Sequence, residues 1–289
     1  MKLQDLPIKK LFPRQKTYPA ALKKLKKPPS PLFVRGRLSP TLLKKSLAVV
    51  GTRRLTPYGR QVVNLLVPPL VKQGVTIVSG FMYGIDTVAH QACLKNQGKT
   101  IAVLGGGLNV VHPPENEKLY LQILKTGGAV VSEYPPDFKP RLWTFPQRNR
   151  LIVALSTLGV LVVEAGQKSG ALITARLACQ QNKKLFAVPG PITSSVSYGT
   201  NLLLKTGQAR LVTTAQDILG KKPTAEPTSP LSLSPLEKKI LDLLAAQPLT
   251  ANQLQKLLNL TITQLNQTLS LMSLKGLISD TAGQYFPAC

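Results

Sequence analysis

The sequence predicts an α/β protein: an extended Rossmann-like, doubly wound and mostly parallel sheet, followed by a small C-terminal winged-helix-like domain. Three observations carry the prediction. Short apolar runs alternate with segments of helical periodicity from residue 46 to about residue 219. The runs are apolar throughout rather than alternating, as expected of parallel strands covered on both faces. Beyond a stretch rich in Pro, Ser and Thr, the pattern changes to three helices and a hairpin.

The elements follow in order. Leu47 to Val50 reads as a strand ending at Gly51, and Pro57 to Gln73 as a helix that Pro68 and Pro69 are expected to kink or end, since each removes a backbone donor. Val75 to Val78 is a strand, Asp86 to Asn96 a helix, Thr100 to Leu104 a strand, Glu115 to Lys125 a helix and Ala129 to Val131 a strand. Helices at Gln147 to Leu155 and Ala171 to Gln181 alternate with strands at Val160 to Val163 and Leu185 to Val188, and Ala209 to Val212 precedes a short helical turn near Asp217. The domain reading is thus a basic leader at 1–45, a Rossmann-like domain at 46–219, a linker at 220–235 and a winged-helix-like domain at 236–289. In the last, Leu236 to Ala246, Ala251 to Leu258 and Ile262 to Lys275 are the helices, and Leu277 to Phe286, turning near Gly283, is the hairpin.

Composition narrows the function. The 289 residues carry 37 Lys and Arg against 12 Asp and Glu, a formal charge of +25, and 43% are hydrophobic, enough to bury a core. Charge is concentrated in residues 1–45, where thirteen basic side chains, twelve of them from Lys9 to Lys45 and including Arg35, face Asp5 alone. Such clustering attracts polyanions, with nucleic acid the obvious partner, although a generally basic proteome would give the same composition, and the motifs below decide between the two. The longest apolar stretch, Leu151 to Val163, falls short of the roughly 20 residues of a membrane span. The first residues lack the apolar region of a secretion signal, so a cytoplasmic location is expected. Three cysteines without short spacing, and two histidines, make a structural zinc site a poor fit.

In an open parallel sheet, ligands gather at the carboxyl ends of strands, where loops lead into helix N-termini that favour anions. Four such loops are glycine-rich: Gly51-Thr52-Arg53-Arg54; Ser79-Gly80 with Gly84-Ile85-Asp86; Gly105-Gly106-Gly107; and Glu164 through Gly170, which includes Lys168 and Ser169. Each alone reads most simply as turn glycines, but jointly, with arginines beside them, they indicate an anion site. Val110 occupies the third glycine position of a dinucleotide fingerprint and no Walker A motif occurs, so neither NAD nor ATP is indicated. Phe145-Pro146-Gln147-Arg148-Asn149-Arg150 supplies a stacking face and cations suited to single-stranded nucleic acid, or else a core Phe beside a solvated helix. Asp86 reads as an N-cap, His90 as a satisfied packing histidine, and Glu164 as either a catalytic carboxylate or a loop anchor. No reaction centre is assembled.

The ordered set Val50-Gly51-Thr52-Arg53, Val78-Ser79-Gly80, Gly84-Ile85-Asp86, Ala89-His90, Ser132-Glu133, Phe145-Pro146, Arg148-Asn149-Arg150, Val163-Glu164-Ala165 and Ser169-Gly170 resembles the DprA/Smf family of DNA-processing proteins. The resemblance covers residues 18–219. It implies an extended Rossmann domain that binds single-stranded DNA without sequence preference, forms homodimers and loads RecA during natural transformation, with no catalysis, cofactor or metal. Carried over by motif, Arg53 with Gly51 and Thr52 would hold a phosphate. Phe145, Arg148, Asn149 and Arg150 would form the DNA pocket, and Glu164, Lys168, Ser169 and Gly170 the neighbouring loop. Tyr83 stands before Gly84 where the family typically has arginine, replacing a phosphate contact or offering base stacking, and His112 stands where tyrosine is usual. A helical N-terminal domain found in many members is expected to have no counterpart in these residues, and the lysine-rich leader is expected to compensate electrostatically.

Two competing readings differ in class. The superfamily also resembles nucleotide phosphoribohydrolases, in which Glu164 would assist N-glycosidic cleavage, but their Pro-Gly-Gly-x-Gly-Thr motif is absent. A structural scaffold would need no cationic loops.

Overall fold

The computed structural model describes residues 3, 6–220, 233–274, 277–281 and 283–287. The chain falls into two compact units, Met1–Lys222 and Pro223–Cys289. Most of the segment read as a linker, residues 221–232, lies outside the described residues, as does Cys289.

The larger unit runs β1 (Lys9–Leu11), α1 (Ala20–Lys23), β2 (Leu32–Gly36), α2 (Pro40–Lys44), β3 (Ser46–Val50), α3 (Pro57–Lys72), β4 (Thr76–Ser79), α4 (Ile85–Lys95) and β5 (Thr100–Val103). After a single 3-10 turn at Pro114–Asn116 it continues through α5 (Glu117–Lys125), β6 (Ala129–Ser132), α6 (Thr144–Ala154), β7 (Gly159–Val162), α7 (Gly170–Gln180), β8 (Leu185–Ala187), α8 (Tyr198–Lys205), β9 (Arg210–Leu211) and α9 (Ala215–Leu219). Nine strands form one sheet in the order β1-β2-β6-β5-β4-β3-β7-β8-β9. From β6 to β9 every pairing is parallel; β1–β2 and β2–β6 are antiparallel.

The apolar strands are buried on both faces, as their composition requires. In β3, Ala48 and Val50 pack with α6 and α7 residues such as Leu151, Ile152 and Ala175, whereas Leu47 and Val49 pack with Val63 and Leu66 of α3 and Val88 of α4. Alternation along one strand thus feeds two helical layers. The sheet reverses its direction of growth at the β3–β7 junction: β4 lies on one side of β3 and β7 on the other.

Residues 9–36 differ from the expected leader, because they supply two strands of the sheet. Its Arg35, counted in sequence among DNA-attracting charges, is 1% exposed. Its guanidinium donates to the carbonyls of Leu108 (2.7 Å) and Leu6 (3.2 Å) and to Asn109 Oδ1 (2.8 Å), which satisfies the buried charge. Helix α3 likewise continues past Pro68 and Pro69 to Lys72. The carbonyls deprived of donors belong to Asn64 and Leu65, both on the exposed side of the helix, where the loss of a helical bond costs least.

In the smaller unit, α10 (Pro235–Ala246), β10 (Leu249–Thr250), α11 (Ala251–Leu258), α12 (Ile262–Leu274), β11 (Ile278–Thr281) and β12 (Gln284–Pro287) form a three-helix, three-stranded winged helix with sheet order β10-β12-β11. Ser234 and Glu237 cap α10 reciprocally, as Thr250 and Gln253 cap α11. Ile240, Leu244, Leu254, Leu265, Leu269 and Ile278 fill its core.

Candidate nucleic-acid interface

At the β3–β7 junction an open groove of about 840 Å³ lies over the carboxyl ends of the strands. Its lining includes Gly51, Thr52, Arg53 and Arg54 after β3; Met82 and Asp86 after β4; Phe145, Arg148 and Asn149 of α6; and Gly166 through Ala171 leading into α7. Nine of the residues singled out in sequence therefore share one groove: Gly51, Thr52, Arg53, Phe145, Arg148, Asn149, Lys168, Ser169 and Gly170.

Backbone bonds hold the two loops together. Thr52 N–H donates to the Glu164 carbonyl (2.8 Å), and Ile85 N–H to the Thr52 carbonyl (3.2 Å). Gly84, at φ +82°, caps α4, and a Cβ there would collide with the Thr52 carbonyl, so only glycine fits. Asp86 is accordingly not the N-cap; it sits within the first turn and accepts from Met82 N–H (3.4 Å). Ser169 caps α7, its Oγ accepting from Ala171 N–H (3.3 Å) and its carbonyl from Leu172 N–H (3.1 Å), so the N-terminal end of that eleven-residue helix, with Gly170 as its first residue, lies beside Lys168 at the groove. Helix N-termini with unpaired N–H groups and an adjacent cation bind anions.

Arg53 and Arg148 differ in kind. Arg53 is exposed, and its guanidinium carbon lies 5.0 Å from the Phe145 ring centroid. Phe145 also stacks obliquely with His112 at 5.8 Å. Arg148 is 3% exposed, donates to the Val103 carbonyl and pairs electrostatically with buried Asp86. Burial lowers the Arg148 guanidinium to about 10 and raises the Asp86 carboxyl, each opposing the other's shift. Gly80 permits this pair: a Cβ there would collide with the Asp86 carboxylate and come within 2.8 Å of Arg148 Nη2.

Four expected site residues lie elsewhere. Arg150 follows Arg148 by two helical positions and so points to another side of α6, where it pairs with Glu133. Glu164 is 2% exposed, accepts from Thr56 Oγ1 and Thr56 N–H (3.3 Å), and thereby anchors the N-cap of α3. Of the two roles open to it in sequence, it takes that of a loop anchor. Tyr83 is exposed but donates to Glu115 Oε2 (2.8 Å), and Gly84 serves the backbone turn.

The third glycine loop also has a packing role. Gly107 N–H donates to the Phe138 carbonyl (2.8 Å), and a Cβ on Gly105 would meet Phe145 Cδ1 at 2.8 Å. His90 is buried, with Nε2 donating to the Gly80 carbonyl (2.6 Å) and Nδ1 facing Thr100 Oγ1 (2.7 Å). Burial lowers it to about 4, so it is a neutral packing residue. Trp143, two residues before Phe145, was noted in sequence, but the cluster it joins was not: Tyr134 stacks on Phe138 at 4.9 Å, and the half-exposed Trp143 meets both edge-on. The dense aromatics between residues 134 and 145 were the available signal.

Fold and groove together define an extended Rossmann-like domain with arginines and a lysine around the groove at its sheet reversal, followed in the chain by a winged helix. A family profile described as DNA recombination-mediator protein A matches residues 9–222, and the DprA winged helix domain profile matches residues 223–284. The chain belongs to the DprA/Smf family. It is 48% identical over 202 residues to Protein Smf of Escherichia coli (70% of this chain, 53% of that protein) and 42% identical over 210 residues to DNA processing protein DprA of Bacillus subtilis (72% and 69%). It thus spans about half the length of the E. coli relative. Among solved structures, DprA of Streptococcus pneumoniae superposes with a TM-score of 0.68 at 40% identity, covering 76% of this chain and 75% of that one. DprA of Helicobacter pylori, whose structure is described in terms of its single-stranded DNA binding mode, gives 0.66 at 35% identity (76% and 97%).

Proposed function

We propose that this protein is a non-enzymatic, single-stranded DNA-binding recombination mediator that protects incoming strands and loads RecA in the cytoplasm during natural transformation, acting as a homodimer. One observation carries the reading: the β3–β7 groove unites an exposed arginine, an aromatic ring and a lysine-flanked helix N-terminus. Arg53, Lys168 and the N–H groups of α7 are suited to phosphates, and Phe145 offers a face to a base, which is how strands are held without reading sequence. The description of the H. pylori relative supports the choice of ligand. Binding of Glu164 to Thr56 counts against the phosphoribohydrolase alternative, since its carboxylate is already engaged in a buried structural contact.

Fluorescence anisotropy of labelled oligo-dT against the full chain across a salt series, with duplex of equal length as competitor, tests the DNA reading. The expected result is salt-sensitive binding that prefers the single strand. Weak or duplex-preferring binding would overturn it. RecA loading is tested by strand-exchange rate on oligonucleotide coated with a single-strand-binding protein, where no acceleration by this protein would reject that role.

A further inference from the structure

A second and larger groove, about 1340 Å³, lies at the other end of α7. It runs between the 20–30 segment, α6 and the residues following α7, and it shares no lining residue with the β3–β7 groove. Lys24, Lys26, Lys27, Lys183 and Lys184 line it, with Arg150. The acid among the lining residues is Glu133, which Arg150 pairs with and so neutralises. Five lysines therefore converge with no unpaired acid among the lining residues to balance them. Lys183 Nζ donates to the Ser156 carbonyl (2.8 Å), and its amine is lowered by burial and by the nearby charge of Lys24. Like charges held this close are relieved by a bound anion.

We propose that this groove is a second phosphate-binding tract, occupied by the backbone of the same nucleic-acid strand after it leaves the β3–β7 groove. The proposal rests on the single-strand reading above and gives the leader lysines and Arg150 a defined place, in a groove completed by Lys183 and Lys184. Helix α6 divides the tracts, presenting Arg148 and Asn149 to one and Gln147 and Arg150 to the other. Helix α7 spans the distance between them: eleven residues correspond to about 16.5 Å. At the spacing of roughly 3.4 Å per phosphate in a stacked strand, that distance is covered by about four to five phosphates. The lysines sit on flexible stems without aromatic partners in the lining, a chemistry that neutralises a backbone without gripping bases.

The test compares a short oligo-dT of about six nucleotides, enough for one tract, with one of about twenty-five, using the full chain and the triple variant Lys24→Gln/Lys27→Gln/Lys184→Gln. These lysines are exposed, and an unchanged thermal midpoint establishes that the variant is folded. For the long oligonucleotide the slope of log K against log salt falls in magnitude by about 2, from roughly 0.7 per neutralised phosphate on a single strand, while the short one is unaffected. An unchanged slope with the long oligonucleotide overturns the proposal. So does a tripolyphosphate titration in which these lysines bind the free ion while long-strand affinity is unaltered. Arg53→Ala separates the two readings: loss of short-oligonucleotide binding in Arg53→Ala with an unaltered lysine variant rejects the second tract alone. Short-oligonucleotide binding unaffected by Arg53→Ala rejects the first groove.

Discussion

The Arg53 guanidinium lies 5.0 Å from the centroid of the Phe145 ring, joining the loop after β3 to the start of α6 across the groove. The two side chains offer a strand a charge and a stacking face at one point. Arg53→Ala is expected to weaken binding of oligo-dT by about 1–3 kcal/mol and Phe145→Ala by a similar amount, with both variants folded. Because the cation–π contact couples them, the double variant should lose less than the sum, which anisotropy titrations of all four proteins would reveal.

Arg148 answers to a different measurement. Asp86→Ala would strand its charge in the interior, so a loss of about 3–5 kcal/mol of stability is expected from denaturant unfolding, before any effect on DNA is considered. Arg53→Ala, exposed, should leave the denaturation midpoint in place. Equal midpoints for Asp86→Ala and the parent would show that the buried pair is not formed.

Glu164 provides a test between anchoring and catalysis. Glu164→Ala removes the acceptor for Thr56 and is expected to lower stability by about 1–3 kcal/mol, with oligo-dT affinity of the folded fraction nearly retained. Release of a free base from nucleoside monophosphates by the parent, abolished in this variant, would restore the enzymatic reading.

His90 predicts a pH dependence. Its folded-state value, near 4, lies below the ordinary 6.5, so between these values the unfolded chain binds a proton that the folded chain does not. The stability it contributes is therefore complete above pH 6.5 and is lost as pH falls toward 4, a change of up to roughly 3 kcal/mol. His90→Asn should flatten that part of the urea-denaturation profile.

Much of the parallel sheet was legible because its strands are uniformly apolar and bounded by glycine loops, as in Ser46–Val50 and Gly159–Val162. The amino-terminal strands were not, for a physical reason. Lys9–Leu11 is exposed on an edge and carries two lysines, and Leu32–Gly36 hides an arginine within an apolar run. Charge read from sequence carries no depth, so Arg35 and Arg148 were counted with the solvated cations although their partners bury them. The same limit separated Arg148 from Arg150: one motif supplied both, and helical geometry directs them to different sides of α6. The Glu164–Thr56 bond was invisible because its partners lie 108 positions apart.

That separation has a consequence for the chain during synthesis. The lining of the β3–β7 groove runs from Val50 to Tyr198, so a growing polypeptide has no complete groove until about residue 198 has left the ribosome and β7 has paired beside β3. Closing so long a loop is a late and comparatively slow event in folding. The groove is thus assembled only after most of the larger unit has been synthesised.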